Sequence, residues 1–379
     1  MSGTEPHSPA KISHSAEIPA KIGPYEVLAE LGAGAHARVF RVAGEDGREL
    51  ALKLLREAPA AGSAAARRFD RELEAYARIE HEGLLALVDE GTDGAGRRFL
   101  VTPLVSGTTL RALVGGNARG LGPEVVELLV PPLCEALAAL HAAGFTHRDL
   151  KPDNVMLGRD GRVVLLDFGL ALHHDHSRLT DDDVVVGSVP YMSPEQIEGG
   201  DVGPPSDIWS LGVLAYELCS GERPFARERQ SEEVAAILRG VPTPLEQADA
   251  RVGQALSGFV ARCLTREARE RPADGSIARE MAQSFDSAAL DASARRVALA
   301  RLCKNPRVER ERFDSARVRS LCARARKLID TDEAFAALDA LDRALAYDPQ
   351  NAEALALVDR AASAGASRTD VPRTTAPRP

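Results

Sequence analysis

Residues 146–154 read THRDLKPDN and place a carboxylate (Asp149), an ammonium (Lys151) and an amide (Asn154) within six positions. The proline at 152 fixes its own φ and disfavours a helical conformation for the residue before it, so the stretch is predicted to be a loop. Asp167 follows thirteen residues after Asn154, behind the strand-like run RVVLL, in the sequence DFGLA. The three polar ends of the loop are therefore expected to converge on one ligand.

The chain before this loop is predicted to begin with a flexible leader and to continue as a sheet. Residues 1–22 mix Ser, Pro, His and Ala without periodicity, which is typical of a disordered segment. From Tyr25 onward the runs YEVLAEL, ARVFRVA and RELALKLL, separated by GAG and GEDG, predict an antiparallel three-strand meander. A helical pattern at 64–80 and two further strand candidates, around LLALVDEG and RRFLVTPLV, complete this part.

After VSGTTL the pattern becomes helical, with candidates at 121–144, at 207–221 and onward to about Gln283. The predicted fold class is α+β, with a small β-rich lobe and a larger α-helical lobe. The predicted divisions are a lobe at 23–102, a connecting segment at 103–107 and a lobe at 108–287. Functional sites often lie between two such parts of a protein.

Beyond residue 287 the sequence predicts an α-helical extension to residue 363 and a disordered tail at 364–379. Between Arg295 and Lys327 there are twelve Lys or Arg residues against three acids. Such a stretch either docks an acidic partner or nucleic acid, or forms a solvated helix face, and these interpretations stay open. The segment 333–361 has Ala and Leu at helical spacing around a DPQN break, and resembles the end of one tetratricopeptide repeat and the start of another.

Composition excludes several classes of protein. A chain of 379 residues with 44% apolar and 27% charged residues is typical of a soluble globular protein with two or three domains. The five cysteines form no CxxC pair and no Cys/His cluster, which predicts reduced thiols in a cytoplasmic protein rather than a zinc site. The prolines within the apolar window 124–145 and the absence of a signal-peptide pattern predict no membrane association. The net charge of -9 makes nucleic-acid binding an unfavoured function.

Taken together, THRDLKPDN and DFGLA resemble the catalytic core of the eukaryotic-type (Hanks-type) serine/threonine protein kinases. The resemblance covers about residues 25–287 and implies a bilobal protein-kinase fold. Lys151, two residues after Asp149, resembles serine/threonine rather than tyrosine kinases. The sequence GSVPYMSPEQ resembles the corresponding segment in the bacterial branch of the family.

The resemblance implies an ATP site in the N-terminal part. In LGAGAHARVF (31–40) the backbone would approach the phosphates closely, because glycine lacks a Cβ; the family's third glycine is Ala37 here. Lys53 would hold the α- and β-phosphates and pair with Glu72, for which Glu74 is a competitor. In FLVTPLVSGTTL, Thr102 would be the gatekeeper, and the Pro103 carbonyl and Val105 amide would bind adenine. The implied nucleotide contacts are Leu31, Gly32, Gly34, Val39, Ala51, Lys53, Glu72, Thr102, Pro103, Val105 and Met156.

The resemblance also explains the opening loop. Asp149 would orient the substrate hydroxyl or accept its proton, and Lys151 would neutralise charge on the γ-phosphate. Asn154 and Asp167 would hold Mg²⁺ across the phosphates, since this ion prefers hard oxygen ligands. Phosphoryl transfer needs positioning and charge stabilisation more than covalent chemistry, which such a cluster supplies.

The stretch 170–196 resembles an activation segment that follows Phe168 and Gly169 and ends in Ser193-Pro194-Glu195. Glu195 would pair with Arg271, and Asp207 would hydrogen-bond the backbone of the catalytic loop. Arg148 would bind a phosphate on the segment, with Thr180 the first candidate phosphosite and Ser177 the second. The acids at 181–183 either mimic that phosphate or form a solvated turn, and HHDH at 173–176 is expected to be exposed rather than a metal site.

The sequence therefore predicts an active, autophosphorylating serine/threonine protein kinase that uses ATP and Mg²⁺ and acts on protein substrates in bacterial signalling. A pseudokinase scaffold is one alternative, and Ala37 is the only departure from the motifs that points to it. A small-molecule phosphotransferase is the other, although it would normally lack the brace formed by Glu195 and Arg271. The extension is expected to bind a protein partner, and deletion of 290–379 would separate an adaptor role from catalysis.

Overall fold

The computed structural model describes residues 18–34, 36–115, 119–167, 189–285 and 290–366. It divides into two compact units, which are called the sheet unit (1–63 and 87–104) and the helical unit (64–86 and 105–379). The helix predicted at 64–80 thus belongs with the helical unit, although its sequence interrupts the strands of the sheet unit.

The sheet unit is one antiparallel sheet in the order β1-β2-β3-β4-β6-β5. Its strands are β1 Lys21–Ile22, β2 Tyr25–Ala33, β3 Ala37–Ala43, β4 Glu49–Leu55, β5 Asp89–Thr92 and β6 Arg98–Pro103. Alternate side chains such as Phe40, Val42, Leu52 and Leu54 are buried, which follows from the two-residue period of a strand. The predicted leader ends too late, because β1 pairs with β2 and Ile22 is only 2% exposed.

The helical unit carries a second, three-stranded sheet and most of the helices. Its elements up to residue 285 are α1 Ala64–Arg78, β7 Gly107–Thr109, α2 Leu110–Val114, α3 Pro123–Ala142, β8 Val155–Gly158, β9 Val163–Leu165, α4 Pro194–Glu198, α5 Pro204–Ser220, α6 Gln230–Arg239, α7 Leu245–Ala248, α8 Gln254–Cys263 and α9 Gly275–Met281. The buried faces of α3 and α5 form the centre of its core, where Trp209 stacks on Phe225 at a centroid distance of 5.3 Å. The β8–β9 hairpin joins the opening loop to Asp167.

Helix α3 corrects the expectation that prolines interrupt the apolar window 124–145. It continues through Pro131 and Pro132, and by length and composition it is the one helix among the described residues that could cross a membrane. In its most apolar window, however, 67% of the residues are buried inside the protein. The core helix of a globular protein passes the same test, so this result is weak evidence for a span.

Four further helices follow residue 285: α10 Ala292–Lys304, α11 Pro306–Asp330, α12 Ala334–Tyr347 and α13 Ala352–Ala366. The last of these continues beyond the end that was predicted at residue 363. Helices α11 to α13 share a core in which many of the buried side chains are alanines, including Ala337, Ala344 and Ala361. Small side chains at such positions allow helix axes to approach closely.

Residues of the extension form ion pairs and hydrogen bonds with acidic side chains of α3. Arg317 of α11 donates to Glu124 (2.7 Å) and to Glu127 (3.4 Å) of α3, and the Tyr347 hydroxyl also donates to Glu124. The side chains of Arg317 and Glu124 are each only 12% exposed. Part of the positive charge that the sequence concentrates at 295–327 is therefore matched within the chain itself.

Candidate active site

The loop 146–154 is held by one buried carboxylate. Asp207, at the start of α5, is 0% exposed and accepts hydrogen bonds from the backbone amides of His147 and Arg148, both at 2.7 Å. The imidazole Nε2 of His141 lies 2.9 Å from the same carboxylate. Arg148 has a φ of 68°, a conformation that non-glycine residues rarely adopt, and the two bonds to Asp207 account for its retention.

Within this loop the three polar ends converge as the sequence predicts. The Lys151 ammonium lies 2.8 Å from Asp149 Oδ2. The Asn154 amide nitrogen donates to the Asp149 carbonyl at 2.8 Å and to Asp149 Oδ2 at 2.9 Å. Because the nitrogen of this amide faces Asp149, its oxygen points away from that carboxylate and is the end suited to a cation.

The β8–β9 hairpin brings Asp167 to the same place. Val155 pairs with Leu165, and the Leu166 amide donates to the Asn154 carbonyl at 2.8 Å. The two predicted metal ligands, Asn154 and Asp167, therefore flank the open end of one hairpin. Asp167 has a φ of 42°. An amide oxygen and a carboxylate are donors of the kind that Mg²⁺ takes together with phosphate oxygens and water, so these residues fit the ion.

The predicted pair of Glu195 and Arg271 is present. Arg271 donates to both carboxylate oxygens of Glu195, at 2.7 and 2.9 Å, and its guanidinium lies 4.9 Å from the ring centroid of Trp209. The Arg271 side chain is 0% exposed. Burial raises the pKa of Glu195, but the hydrogen bonds from Arg271 and Ser206 outweigh it and hold that pKa below its ordinary value.

Two further links were not expected from the sequence. Gln196 completes a capping box with Ser193 at the start of α4 and donates its side-chain amide to the Arg148 carbonyl at 2.9 Å. Arg111 donates to Asp153 in the loop 146–154 at 3.2 Å. It also donates to Glu217 of α5 and to the Tyr191 hydroxyl. The capping-box pattern SPEQ was readable in the sequence, whereas nothing local pairs Arg111 with partners up to 106 positions away.

In the sheet unit, several predicted nucleotide contacts share one face of the sheet. Val39 pairs with Lys53 and Ala51 with Thr102, and directly opposed residues point to the same side. Among the described residues, a Cβ on Gly32 would meet no atom within 4 Å, and one on Gly34 would meet only the Ala37 carbonyl oxygen at 3.6 Å. Packing against the described residues therefore does not demand these glycines, whereas the close approach of a phosphate would, so the residues fit a nucleotide. Leu31 is exposed and Pro103 ends β6.

In the helical unit, Glu72 and Glu74 of α1 differ in their environments. Glu72 is 6% exposed, while Glu74 has a side chain that is 52% exposed and pairs with Arg78 at 2.7 Å. This favours Glu72 as the partner of Lys53, and the pairing itself stays a prediction because the two residues belong to different units. Val105 precedes β7, and Met156 lies on β8 opposite Thr109.

Part of the predicted site lies outside the described residues. This applies to Phe168 and Gly169, to the candidate phosphosites Ser177 and Thr180, to the acids at 181–183 and to HHDH at 173–176.

A glycine turn and a lysine on a sheet, together with the braced HRDLKPDN loop and its platform, define the phosphotransferase class that includes the protein kinases. The chain belongs to the protein kinase family, because the family model described as "Protein kinase domain" matches residues 25–285. The expected fold class, a bilobal α+β kinase fold followed by helices, is thereby confirmed.

The chain is similar to bacterial proteins named as serine/threonine kinases. It is 37% identical over 238 residues to the serine/threonine-protein kinase PknL of Mycobacterium tuberculosis, which covers 59% of this chain and 58% of that protein. It is 36% identical over 259 residues to the DNA damage-responsive serine/threonine-protein kinase RqkA of Deinococcus radiodurans, covering 67% of this chain and 38% of that one. The probable serine/threonine-protein kinase PkwA of Thermomonospora curvata is 36% identical over 229 residues, or 60% and 30% of the two chains. The chain thus spans little more than half of these relatives' lengths at most, and the similarity supports a kinase domain of the bacterial serine/threonine type.

Proposed function

We propose that the chain is an active protein kinase that transfers the γ-phosphate of Mg-ATP to serine and threonine hydroxyls of proteins, and to its own activation segment. The observation that carries the proposal is the single carboxylate oxygen, Asp149 Oδ2, that receives both Lys151 (2.8 Å) and Asn154 (2.9 Å). The carboxylate is thereby fixed in orientation, with its other oxygen, Oδ1, assigned to the substrate hydroxyl.

Each residue of the loop then has a definite task. Asp149 orients the hydroxyl and accepts its proton as the oxygen attacks, and Lys151 places a positive charge beside the group in transfer. Asn154 holds the Asp149 carboxylate and, with Asp167, supplies oxygen ligands for the cation. When bound, Mg²⁺ would draw negative charge from the phosphate oxygens of ATP. The bonds from Asp207 keep the loop backbone in place, so little reorganisation accompanies the reaction.

The brace of Glu195 and Arg271 supports a polypeptide as the substrate, because it fixes the segment that the family uses as its peptide platform. Thr180 is proposed as the first autophosphorylation site and Ser177 as the second. The Nε atom of Arg148 is buried and has no hydrogen-bond partner among the described residues, which supports Arg148 as the group that binds this phosphate. Burial lowers the pKa of its guanidinium.

Incubation of the purified chain with labelled ATP and Mg²⁺, followed by mass spectrometry, tests this function. Asp149→Asn is expected to lower the rate of label transfer about a thousandfold or more while ATP binding changes little, because the proton acceptor is lost and the phosphate contacts are kept. Asp46→Asn, a carboxylate change in an exposed turn of the sheet unit, is the matched control and should keep the wild-type rate.

Label on the wild type and the control but not on Asp149→Asn supports the proposal. ATP binding without label transfer in any variant would identify a pseudokinase scaffold instead. Equal labelling of all three proteins would show that a contaminant is responsible.

We also infer that the extension is a short tetratricopeptide-like array that offers a surface to a protein partner, and that the chain works in the cytoplasm. Phe335, at the start of α12, is 92% exposed, and the alanine-rich packing of α11 to α13 supports the repeat-like interpretation. All five cysteines are free thiols, as expected in a reducing compartment. Phe335→Ala should weaken binding of the partner and leave autophosphorylation unchanged; an unaltered affinity for the partner contradicts the assignment of this surface.

A further inference from the structure

Helix α10, outside the family match, covers the turn of the β8–β9 hairpin. Gly161 in this turn has a φ of 83°, and a Cβ placed on it would lie 2.0 Å from the carbonyl oxygen of Arg296 in α10. The apolar side chains of α10 that face inward, Leu299 and Leu302, are 1% and 0% exposed. The helix is therefore in close backbone contact with the turn, in a position that only glycine allows.

One side chain of α10 joins this turn to a second segment. Arg296 donates from Nε to the Asp160 carbonyl at 3.1 Å and from Nη2 to the Asp160 carboxylate at 3.4 Å. Its third nitrogen, Nη1, donates to Glu82 at 3.1 Å, in the loop that follows α1. That loop is itself bonded to β9, since the Leu165 amide donates to the Gly83 carbonyl at 2.9 Å.

The C-terminal end of α10 contacts the other strand of the hairpin. The Cys303 thiol lies 3.3 Å from the Leu157 carbonyl oxygen of β8, as a donor to it. Helix α10 thus contacts both the turn and the β8 strand, while the open end of the same hairpin carries Asn154 and Asp167. Fixing one end and one strand of a short hairpin limits the rotation of the other end.

We infer that α10 is a positioning element of the catalytic centre and that Gly161 and Arg296 are positioning residues for the two metal ligands. This inference rests on the proposed kinase function. It assigns the first helix of the extension to the catalytic machinery, whereas α11 to α13 can still serve a partner. Deletion of 290–379 would then remove a working part of the enzyme and would not isolate an adaptor.

The test uses the full-length chain and a glycine pair. Gly161→Ala pushes a methyl group into α10, whereas Gly47→Ala introduces the same methyl group, also at positive φ (76°), in a turn where it meets nothing within 4 Å. Initial autophosphorylation rates are measured against free Mg²⁺ at saturating ATP. Gly161→Ala should raise the half-saturating Mg²⁺ concentration about tenfold. A loss of this size is usual when a residue that orients the ligands of a metal is mutated. Gly47→Ala should stay within about twofold of wild type, because its turn joins β3 to β4 and contains no predicted metal ligand.

A second variant keeps the inference testable if Gly161→Ala does not fold. Arg296→Ala removes three surface contacts and should raise the half-saturating Mg²⁺ concentration about threefold, a modest effect because its ion pairs are about half exposed. Arg296→Lys keeps the positive charge but lacks the planar guanidinium that bonds two partners at once. Its half-saturating Mg²⁺ concentration should therefore lie between those of wild type and Arg296→Ala. A general loss of stability would not produce this graded recovery in the Mg²⁺ dependence.

Hydrogen exchange separates the inference from the proposed function, since it needs no turnover. Amides of 155–165 should exchange about tenfold faster in Gly161→Ala than in wild type, and at the wild-type rate in Gly47→Ala. Unchanged exchange in Gly161→Ala, or equal shifts of the Mg²⁺ dependence in both glycine variants, overturns the inference. A wild type that transfers no phosphate would overturn the proposed function, while the exchange result would still decide whether α10 holds the hairpin.

Discussion

The sequence pattern GxDGR forms a hairpin turn at residues 44–48 (GEDGR), between β3 and β4, and at residues 158–162 (GRDGR), between β8 and β9. In both turns the first glycine amide donates to the carbonyl of the final arginine, at 2.9 and 2.8 Å, and the second glycine amide donates to the first glycine carbonyl at 2.9 Å. The second glycines, Gly47 and Gly161, have φ values of 76° and 83°. Local sequence is therefore sufficient to specify the turn.

The surroundings of the two turns differ completely. The Arg48 and Asp46 side chains of the first turn are 82% and 60% exposed, whereas Arg162 and Asp160 of the second are 41% and 45% exposed and lie beside α10. Among the described residues, no atom lies within 4 Å of a Cβ placed on Gly47, so such a turn forms without the close contact that α10 makes at Gly161. The covering helix over the second turn is therefore not needed to form the turn, which agrees with the positioning role inferred for α10.

The largest expected difference between the turns is in the cost of a methyl group. At either site alanine adopts an unfavourable positive φ, which costs about 1–2 kcal/mol. Gly161→Ala also inserts a Cβ 2.0 Å from the Arg296 carbonyl oxygen, and overpacking of this kind costs about 1–3 kcal/mol more. Denaturant unfolding should show Gly161→Ala destabilised by about 2–5 kcal/mol and Gly47→Ala by about 1–2 kcal/mol.

The comparison controls for the unfolded state, because alanine restricts the unfolded chain equally at both sites and that contribution cancels in the difference. If Gly161→Ala and Gly47→Ala lower the free energy of unfolding by the same amount, α10 moves away from the added methyl group without loss of stability. The contact between α10 and Gly161 is then not a tight one.

The sequence predicted the catalytic loop well because its chemistry is local. Asp149, Lys151 and Asn154 lie within six residues, and the proline between them makes a loop the natural conformation. The pair of Glu195 and Arg271 was also expected, since the resemblance to the family supplied the long-range partner that spacing alone does not give.

The role of α10 could not be predicted in this way. Its buried leucines indicate only that one face of the helix is covered, and not by which element. The partners of Arg296 are 136 and 214 positions away, and nothing near those acids marks them as its partners. The prolines of α3 misled for a related reason, because burial of a core helix can offset the roughly 3 kcal/mol that an interior proline costs.

A smaller difference is expected at the aspartates of the two turns. Asp46 accepts a hydrogen bond from the Arg48 amide at 3.0 Å, and Asp160 accepts the equivalent bond from the Arg162 amide at 3.1 Å. Asp46→Ala should cost about 0.5 kcal/mol, the low end for one exposed hydrogen bond. Asp160→Ala loses the Arg296 contact as well and should cost about 1–2 kcal/mol. Equal losses in thermal unfolding would mean that Arg296 contributes nothing through this carboxylate.

A further small effect, which has a pH signature, is expected for Arg296→Ala. Burial raises the pKa of Asp160, but the hydrogen bonds and charges of Arg162, with the charge of Arg296, outweigh it and lower that pKa from its ordinary value of 3.8. A carboxyl whose pKa is lowered by folding stabilises the protein above its ordinary pKa, and this stability is lost as the pH falls through the folded value. The ion pairs of Arg296 are about half exposed, so the variant should lose only about 0.5–1 kcal/mol at pH 7.

This loss should shrink as the pH falls below the ordinary value of 3.8 and through the lower pKa that Asp160 has in the folded protein. It should also shrink at pH 7 in about 1 M salt, which screens exposed charges. Urea unfolding of wild type and Arg296→Ala at pH 7, 5 and 3 measures the trend. A loss that stays constant across this range would assign the contribution of Arg296 to packing of its aliphatic stem on the turn. No described atom lies within 4 Å of a Cβ placed on Gly47, so the turns at 44–48 and 158–162 would then differ through packing alone.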